Sequence, residues 1–86
     1  MLQLAESYFQ IGDTDKAAPF YEQLALQAEP GIFEQAIYRL AEIDLRTDQR
    51  QAAAKRLAEL SQRGKNPLWV KMAKEELDIL QLPTDK

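Results

Sequence analysis

The stretch Gly12-Asp13-Thr14-Asp15-Lys16-Ala17-Ala18-Pro19-Phe20-Tyr21 joins two segments of helical periodicity. Before it, Leu4, Ala5, Tyr8 and Phe9 fall on one stripe of a helix, predicted over about Leu2 to Gln10. Gly12 follows the last turn, where a left-handed residue commonly ends a helix. Asp13, Thr14 and Asp15 each offer a side chain to cap the next helix. The expected cap is Asp15, because it moves Pro19 closest to the first turn, where a proline disturbs the fewest backbone bonds. Ala17 before Pro19, and Phe20, Tyr21, Leu24 and Ala28 after it, mark the buried side of the second helix. The stretch is therefore the turn of a helical hairpin.

Glu29-Pro30-Gly31 interrupts the pattern, and proline suits the first position of a third helix over about Pro30 to Arg46. Its apolar positions are Phe33, Ala36, Ile37, Leu40, Ala41, Ile43 and Leu45. Asp48, with Gln51 three residues on, has the spacing of a capping box for a fourth helix that ends near Gln62. Arg63 and Gly64 form its stop, a cation at the negative helix end followed by glycine. Asn66-Pro67 opens a fifth helix as cap and first residue, and Pro83 ends it ahead of a tail.

A shift of 36 residues superimposes the chain on itself. Leu4 falls on Leu40, Ala5 on Ala41, Glu6 on Glu42 and Phe9 on Leu45. Ala17 falls on Ala53, Tyr21 on Leu57, Leu24 on Leu60 and Phe33 on Trp69. The opening stretch thus recurs at Thr47 to Leu57, and the fold is a stack of supersecondary units. The predicted architecture is all-α: a first hairpin over about 1–29, a second over about 30–65, a closing helix over about 67–82, and a tail at 83–86.

Composition narrows the chemistry. The chain has 86 residues and a net charge of -3, with no cysteine and no histidine. Disulfides, zinc sites built on thiolate or imidazole, and nucleophiles paired with histidine are excluded within it. No metal, cofactor or catalytic residue is predicted. The carboxylates of Glu6, Glu42, Glu75 and Glu76 read as solvated helix faces, since acid–base work needs a paired and desolvated geometry. Arg39, Arg46, Arg50, Lys55, Arg56 and Arg63 are interleaved with Glu42, Asp44, Asp48 and Glu59. Phosphate recognition wants one unopposed sign, so nucleic acid is not an expected partner. No apolar run approaches the roughly 20 residues needed to cross a bilayer, and Met1 leads into a polar periodic stretch rather than a signal sequence. The chain opens inside a helical pattern, which is the expectation for part of a longer protein. Lack of cysteine suits cytoplasm and periplasm equally.

At Met1, Leu4, Ala5, Tyr8, Ala17 and Tyr21, and again at Ile37, Leu40, Ala41, Ala53 and Leu57, the sequence resembles the tetratricopeptide repeat (TPR) family. The small residues Ala5 with Ala17, and Ala41 with Ala53, have the size that lets paired helices approach closely. The resemblance covers about residues 1 to 65. It departs from the family pattern at Asp44, which replaces a tyrosine, at Pro30 and Pro67, which come late, and in a period longer than about 34. Tyr38-Arg39-Leu40-Ala41-Glu42-Ile43 has the flavour of bacterial cell-envelope members such as the outer-membrane assembly lipoproteins.

The resemblance implies a right-handed α-solenoid of two TPR-like hairpins with a C-terminal capping helix. It also implies a protein-interaction scaffold whose first helices line a concave groove. Glu6, Phe9, Tyr38, Glu42, Leu45 and Arg46 would project into that groove to hold a peptide or helix of a partner. Phe9 and Tyr38 suit packing between hairpins equally well, and Trp69 suits packing better. The family's carboxylate clamp needs lysine, asparagine and arginine where this chain has Leu2, Gln3, Glu6, Tyr38, Arg39 and Glu42, so acidic C-terminal peptides are not the expected ligand. The alternative function is self-association into a homo-oligomer through the uncovered repeat ends.

Overall fold

A computed structural model of the chain describes residues 2–27 and 29–81. It contains five helices: α1 (Leu2–Gln10), α2 (Thr14–Ala25), α3 (Ile32–Arg46), α4 (Arg50–Arg63) and α5 (Pro67–Gln81). Each packs on the next in order, and α5 also touches α3. Ala28 and the residues from Leu82 on, which carry the expected end of α2, the stop at Pro83 and the tail, lie outside the described residues, as does Met1.

The two hairpin turns have the same geometry. Gly12 has φ 86°, with its N–H on the Phe9 carbonyl (3.1 Å) and the Asp13 N–H on the Tyr8 carbonyl (2.9 Å). These are the two bonds of a Schellman motif, which satisfies carbonyls left over at a helix end. At the equivalent position Asp48 has φ 63°, and Gln49 N–H reaches the Asp44 carbonyl at 2.7 Å. The capping box expected of Asp48 and Gln51 does not form. Asp48 is spent on the left-handed position of the turn, and Gln49 becomes the cap of α4 without a side-chain bond.

The start of α2 also differs from expectation. Asp13, not Asp15, is the cap, and its carboxylate accepts the Lys16 N–H at 3.2 Å. The helix therefore begins at Thr14, and Pro19 lies inside it beyond the first turn. The Asp15 carbonyl is left without a helical donor there, because proline has no N–H. Pro19 is exposed, where water can take the donor's place. Helix α3 starts at Ile32 with Gly31 as cap, two residues later than predicted. Glu34 is the reason. Its carboxylate turns back to accept the Gly31 N–H at 2.5 Å, which is half of a capping box.

The core has two clusters, and α3 contributes to both. Ala36, Leu40 and Ile43 pack with Ala5, Phe9, Ala17, Tyr21 and Leu24 of the first hairpin. Phe33, Ile37 and Ala41 pack with Ala53, Leu57 and Leu60 of α4 and with Ala73 of α5. Ala5, Ala17 and Ala53 are wholly buried, as their small size at the helix contacts requires.

Leu4 departs from its predicted burial and is 46% exposed, whereas its repeat equivalent Leu40 is 3% exposed. Leu40 faces the first hairpin, and nothing in the described chain stands on that side of α1. The repeat also changes chemistry at one pair of positions. Tyr8 stacks on Phe20 with ring centroids 6.0 Å apart. Thirty-six residues on, Asp44 and Arg56 take their places and form an ion pair at 2.7 Å.

Candidate partner-binding site

Helices α1, α3 and α5 occupy the first-helix position of successive repeat units, so the expected groove residues lie on α1 and α3. The structure joins two of them through a residue not among the six. Arg39 on α3 grips Glu6 of α1 with two nitrogens, Nε to Oε2 at 3.0 Å and Nη2 to Oε1 at 3.2 Å. Its Nη1 donates to Glu42, one turn along α3, at 2.6 Å. The Tyr21 hydroxyl of α2 donates to the same Glu6 carboxylate. Planar, two-point pairing of this kind suits the guanidinium fork.

Titration follows from these contacts. Burial alone would raise the Glu6 pKa, but the bonds from Arg39 and Tyr21, with the Arg39 charge, bring it below the ordinary value. Tyr21 moves the other way, held protonated by burial and by the Glu6 carboxylate it donates to. Arg39 would be lowered by burial, yet Glu6 and Glu42 hold it firmly charged.

Phe9 does not present an open surface. It is 6% exposed, edge-on to Tyr21 at 6.3 Å, and belongs to the first core cluster. The guanidinium groups of Arg39 and Arg46 lie over its ring at 4.9 and 4.2 Å. Of its two sequence readings, packing between hairpins is the one that describes it. The physical reason is that α3 closes over α1 and brings both arginines onto the ring. Arg46 itself is exposed, while Leu45 is half-buried at the margin of the second core cluster.

Tyr38 is half-buried and meets Trp69 of α5 with ring centroids 5.6 Å apart and planes tilted by 55°. Burial, together with the nearby Glu42, Glu76 and Glu75, raises the pKa of its phenol. The structure thus places Glu6, Glu42 and Arg46 around Arg39 and Phe9, and Tyr38 at the contact between α3 and α5.

Glu34 carried no signal in the sequence analysis beyond lying on a helix. It is wholly buried. One carboxylate oxygen takes the Gly31 N–H and the other takes the N–H groups of Lys65 and Asn66. It therefore ties the turn before α5 to the start of α3 and sets the spacing of the two helices. Burial would raise its pKa, but the three backbone donors on Asn66, Gly31 and Lys65 outweigh that and lower it. Gly64 makes room for the arrangement. A β-carbon there would stand 2.6 Å from Val70 Cγ2 and 2.7 Å from the Leu60 carbonyl. Its φ of -64° and ψ of 140° are ordinary, so the glycine serves close approach rather than a left-handed cap.

Away from this face, a polar cleft of about 360 Å3 opens between α2 and α4, with Leu40, Ile43 and Asp44 of α3 also lining it. Among the described residues, no group of three or more acidic side chains is placed to hold a metal ion. None of the described helices is long and apolar enough to cross a membrane.

Paired antiparallel helices, repeated at a fixed period and sharing a core, define a helical-repeat scaffold. A family model for the tetratricopeptide repeat matches residues 8–75, and the chain belongs to that family. Comparison with curated proteins finds no match, and comparison with solved structures finds none. The family is a non-catalytic scaffold family whose repeats generally mediate protein–protein interaction.

Proposed function

We propose that the chain holds a segment of a partner protein on the face formed by α1, α3 and α5. The observation that carries the reading is the meeting of Tyr38 and Trp69 next to the cross-helix Glu6–Arg39–Glu42 bridge. The bridge ties α1 to α3, so the face is ordered before a partner arrives and less entropy is lost on binding. Aromatic and arginine side chains on such a face supply anchors, and the carboxylates set register.

The test compares partner capture by the wild-type chain, Tyr38→Ala and Arg46→Ala at unchanged helicity. Loss of the captured protein in both variants supports the face. Equal capture by all three chains rejects it.

Self-association is the second reading, and the exposed apolar side chains at the two ends favour it. Leu4 and Ile11 are 46% and 75% exposed at one end, and Leu68 and Ile79 are 61% and 57% exposed on α5. Sedimentation velocity over a wide concentration range should show a growing oligomer that Leu4→Glu with Ile11→Glu abolishes. A chain that stays monomeric throughout removes this reading.

A further inference from the structure

The cleft between α2 and α4 opens away from the partner face, and its walls are of two kinds. Ala18 of α2 with Leu40 and Ile43 of α3 supply aliphatic surface. Asp15 and Glu22 of α2 with Asp44 of α3 supply three carboxylates, against the single lining cation Arg56 of α4. The inner wall is where the repeat changes chemistry: Asp44 and Arg56 stand at the positions of Tyr8 and Phe20 and fill less space than two rings. At about 360 Å3, against the roughly 30 Å3 that one water takes up in the liquid, the cleft has room for an organic group.

Two acceptors in these walls lack donors. Asp44 is only 7% exposed, and its Oδ2 accepts from Arg56 Nε at 2.7 Å. Its Oδ1 receives no hydrogen bond among the described residues, although a carboxylate oxygen so deeply placed is costly to leave unpaired. The second acceptor is a backbone carbonyl. In a helix the carbonyl of Asp15 points at the nitrogen of residue 19, which is proline and carries no hydrogen. Asp15 and Pro19 both line the cleft, so that carbonyl belongs to its wall.

We propose that this cleft binds a primary ammonium group carried on an alkyl chain. The ammonium sits on Asp44 Oδ1 and the Asp15 carbonyl, and the methylenes lie along Ala18, Leu40 and Ile43. Charge selects a cation, since three carboxylates face one guanidinium. Geometry selects ammonium over guanidinium. A guanidinium fork wants both oxygens of a carboxylate, and Arg56 already holds one of them, whereas an ammonium directs three donors to separate acceptors. A bare metal ion does not suit the site, because no three acidic side chains among the described residues converge on one point.

The probe is n-butylamine, charged at about pH 7, paired with the neutral twin butan-1-ol. Each is titrated to about 20 mM onto the full chain, labelled with 15N, at about 0.15 M salt, where distant charges are largely screened. The amine should shift the amides of Asp15, Asp44 and Thr47, and the alcohol should bind at least about five-fold more weakly. Pro19→Ala returns a helical donor to the Asp15 carbonyl, so it should raise Tm and still weaken the amine about three-fold. Asp44→Asn should weaken it about ten-fold at unchanged helicity. Glu75→Gln makes the same charge change on α5 and should alter binding by less than about 1.5-fold. N-acetyl-lysine methylamide and butane-1,4-diamine then separate the sources of such a group. Tighter binding of the first points to a lysine of a protein and of the second to a free diamine, and either supports the site.

Equal binding of amine and alcohol would overturn the assignment, as would equal weakening by Asp44→Asn and Glu75→Gln, which is general attraction. Shifts confined to other residues, or none, would overturn it too. Should Asp44→Asn lose helicity, Pro19→Ala decides alone, and wild-type affinity in that variant removes the site.

Discussion

Glu34 is a charged side chain with no access to water, and it is tolerated because every charge-bearing oxygen has backbone donors. Glu34→Gln keeps the shape but removes the charge and offers an N–H where an acceptor is needed. It should cost about 2 kcal/mol in urea unfolding. The pH dependence has a definite sign. The folded pKa of Glu34 is lowered, so its stabilisation is complete above the ordinary carboxylate pKa of about 4.3 and is lost as pH falls through the folded value. Glu6 acts in the same direction. The wild-type chain should therefore lose stability over this acid range more steeply than Glu34→Gln, as measured by unfolding at a series of pH values. Nothing local distinguished Glu34 in the sequence. Its donors Lys65 and Asn66 lie 31 and 32 residues away, and only packing of α5 brings them to it.

At the scale of elements, the two hairpin turns use one backbone geometry with different residues. Gly12 adopts φ 86° without a side chain to strain, whereas Asp48 adopts φ 63° with one. Asp48→Gly should then stabilise the chain by about 0.5–1 kcal/mol, the left-handed strain relieved less the entropy a glycine adds to the unfolded chain. Thermal unfolding should register it as a rise in Tm, and a fall would mean that the Asp48 side chain has a role in the turn. The helices themselves were legible, because apolar spacing and stop signals act within a few residues of each other. Their starts were less so. Asp13, Thr14 and Asp15 all carry capping side chains, and only the Schellman turn at Gly12 leaves Asp13 in position to bond Lys16. At Asp48 the acidic residue looked like a cap for the same reason, since the sequence pattern of a cap and of a left-handed turn overlap in Asp and Asn.

The whole molecule measures 41 × 28 × 16 Å, with α3 shared by both core clusters. A shared helix couples the hairpins, since one cannot open fully without uncovering residues of the other. Leu40→Ala, in the first cluster, should cost about 3 kcal/mol, whereas Leu4→Ala at the same repeat position should cost under about 1 kcal/mol. Trp69 is the single tryptophan and reports on α5. Its fluorescence should follow the same urea transition as far-ultraviolet circular dichroism in both variants. Separate transitions would mean that the two units unfold independently.

The sequence by itself determined the five helices, their pairing into hairpins and the 36-residue repeat, because periodicity, capping and turn chemistry are properties of neighbouring residues. It also marked Glu6 and Glu42 as equivalent. What lies across each joint was decided only by tertiary structure. Leu4 and Leu40 share a position yet differ in burial. Phe9 is closed under two arginines, and Arg39 links one unit to the next. A side chain's burial and partners depend on the surface opposite it, and in a stack of repeats that surface changes at every joint while the local pattern stays the same.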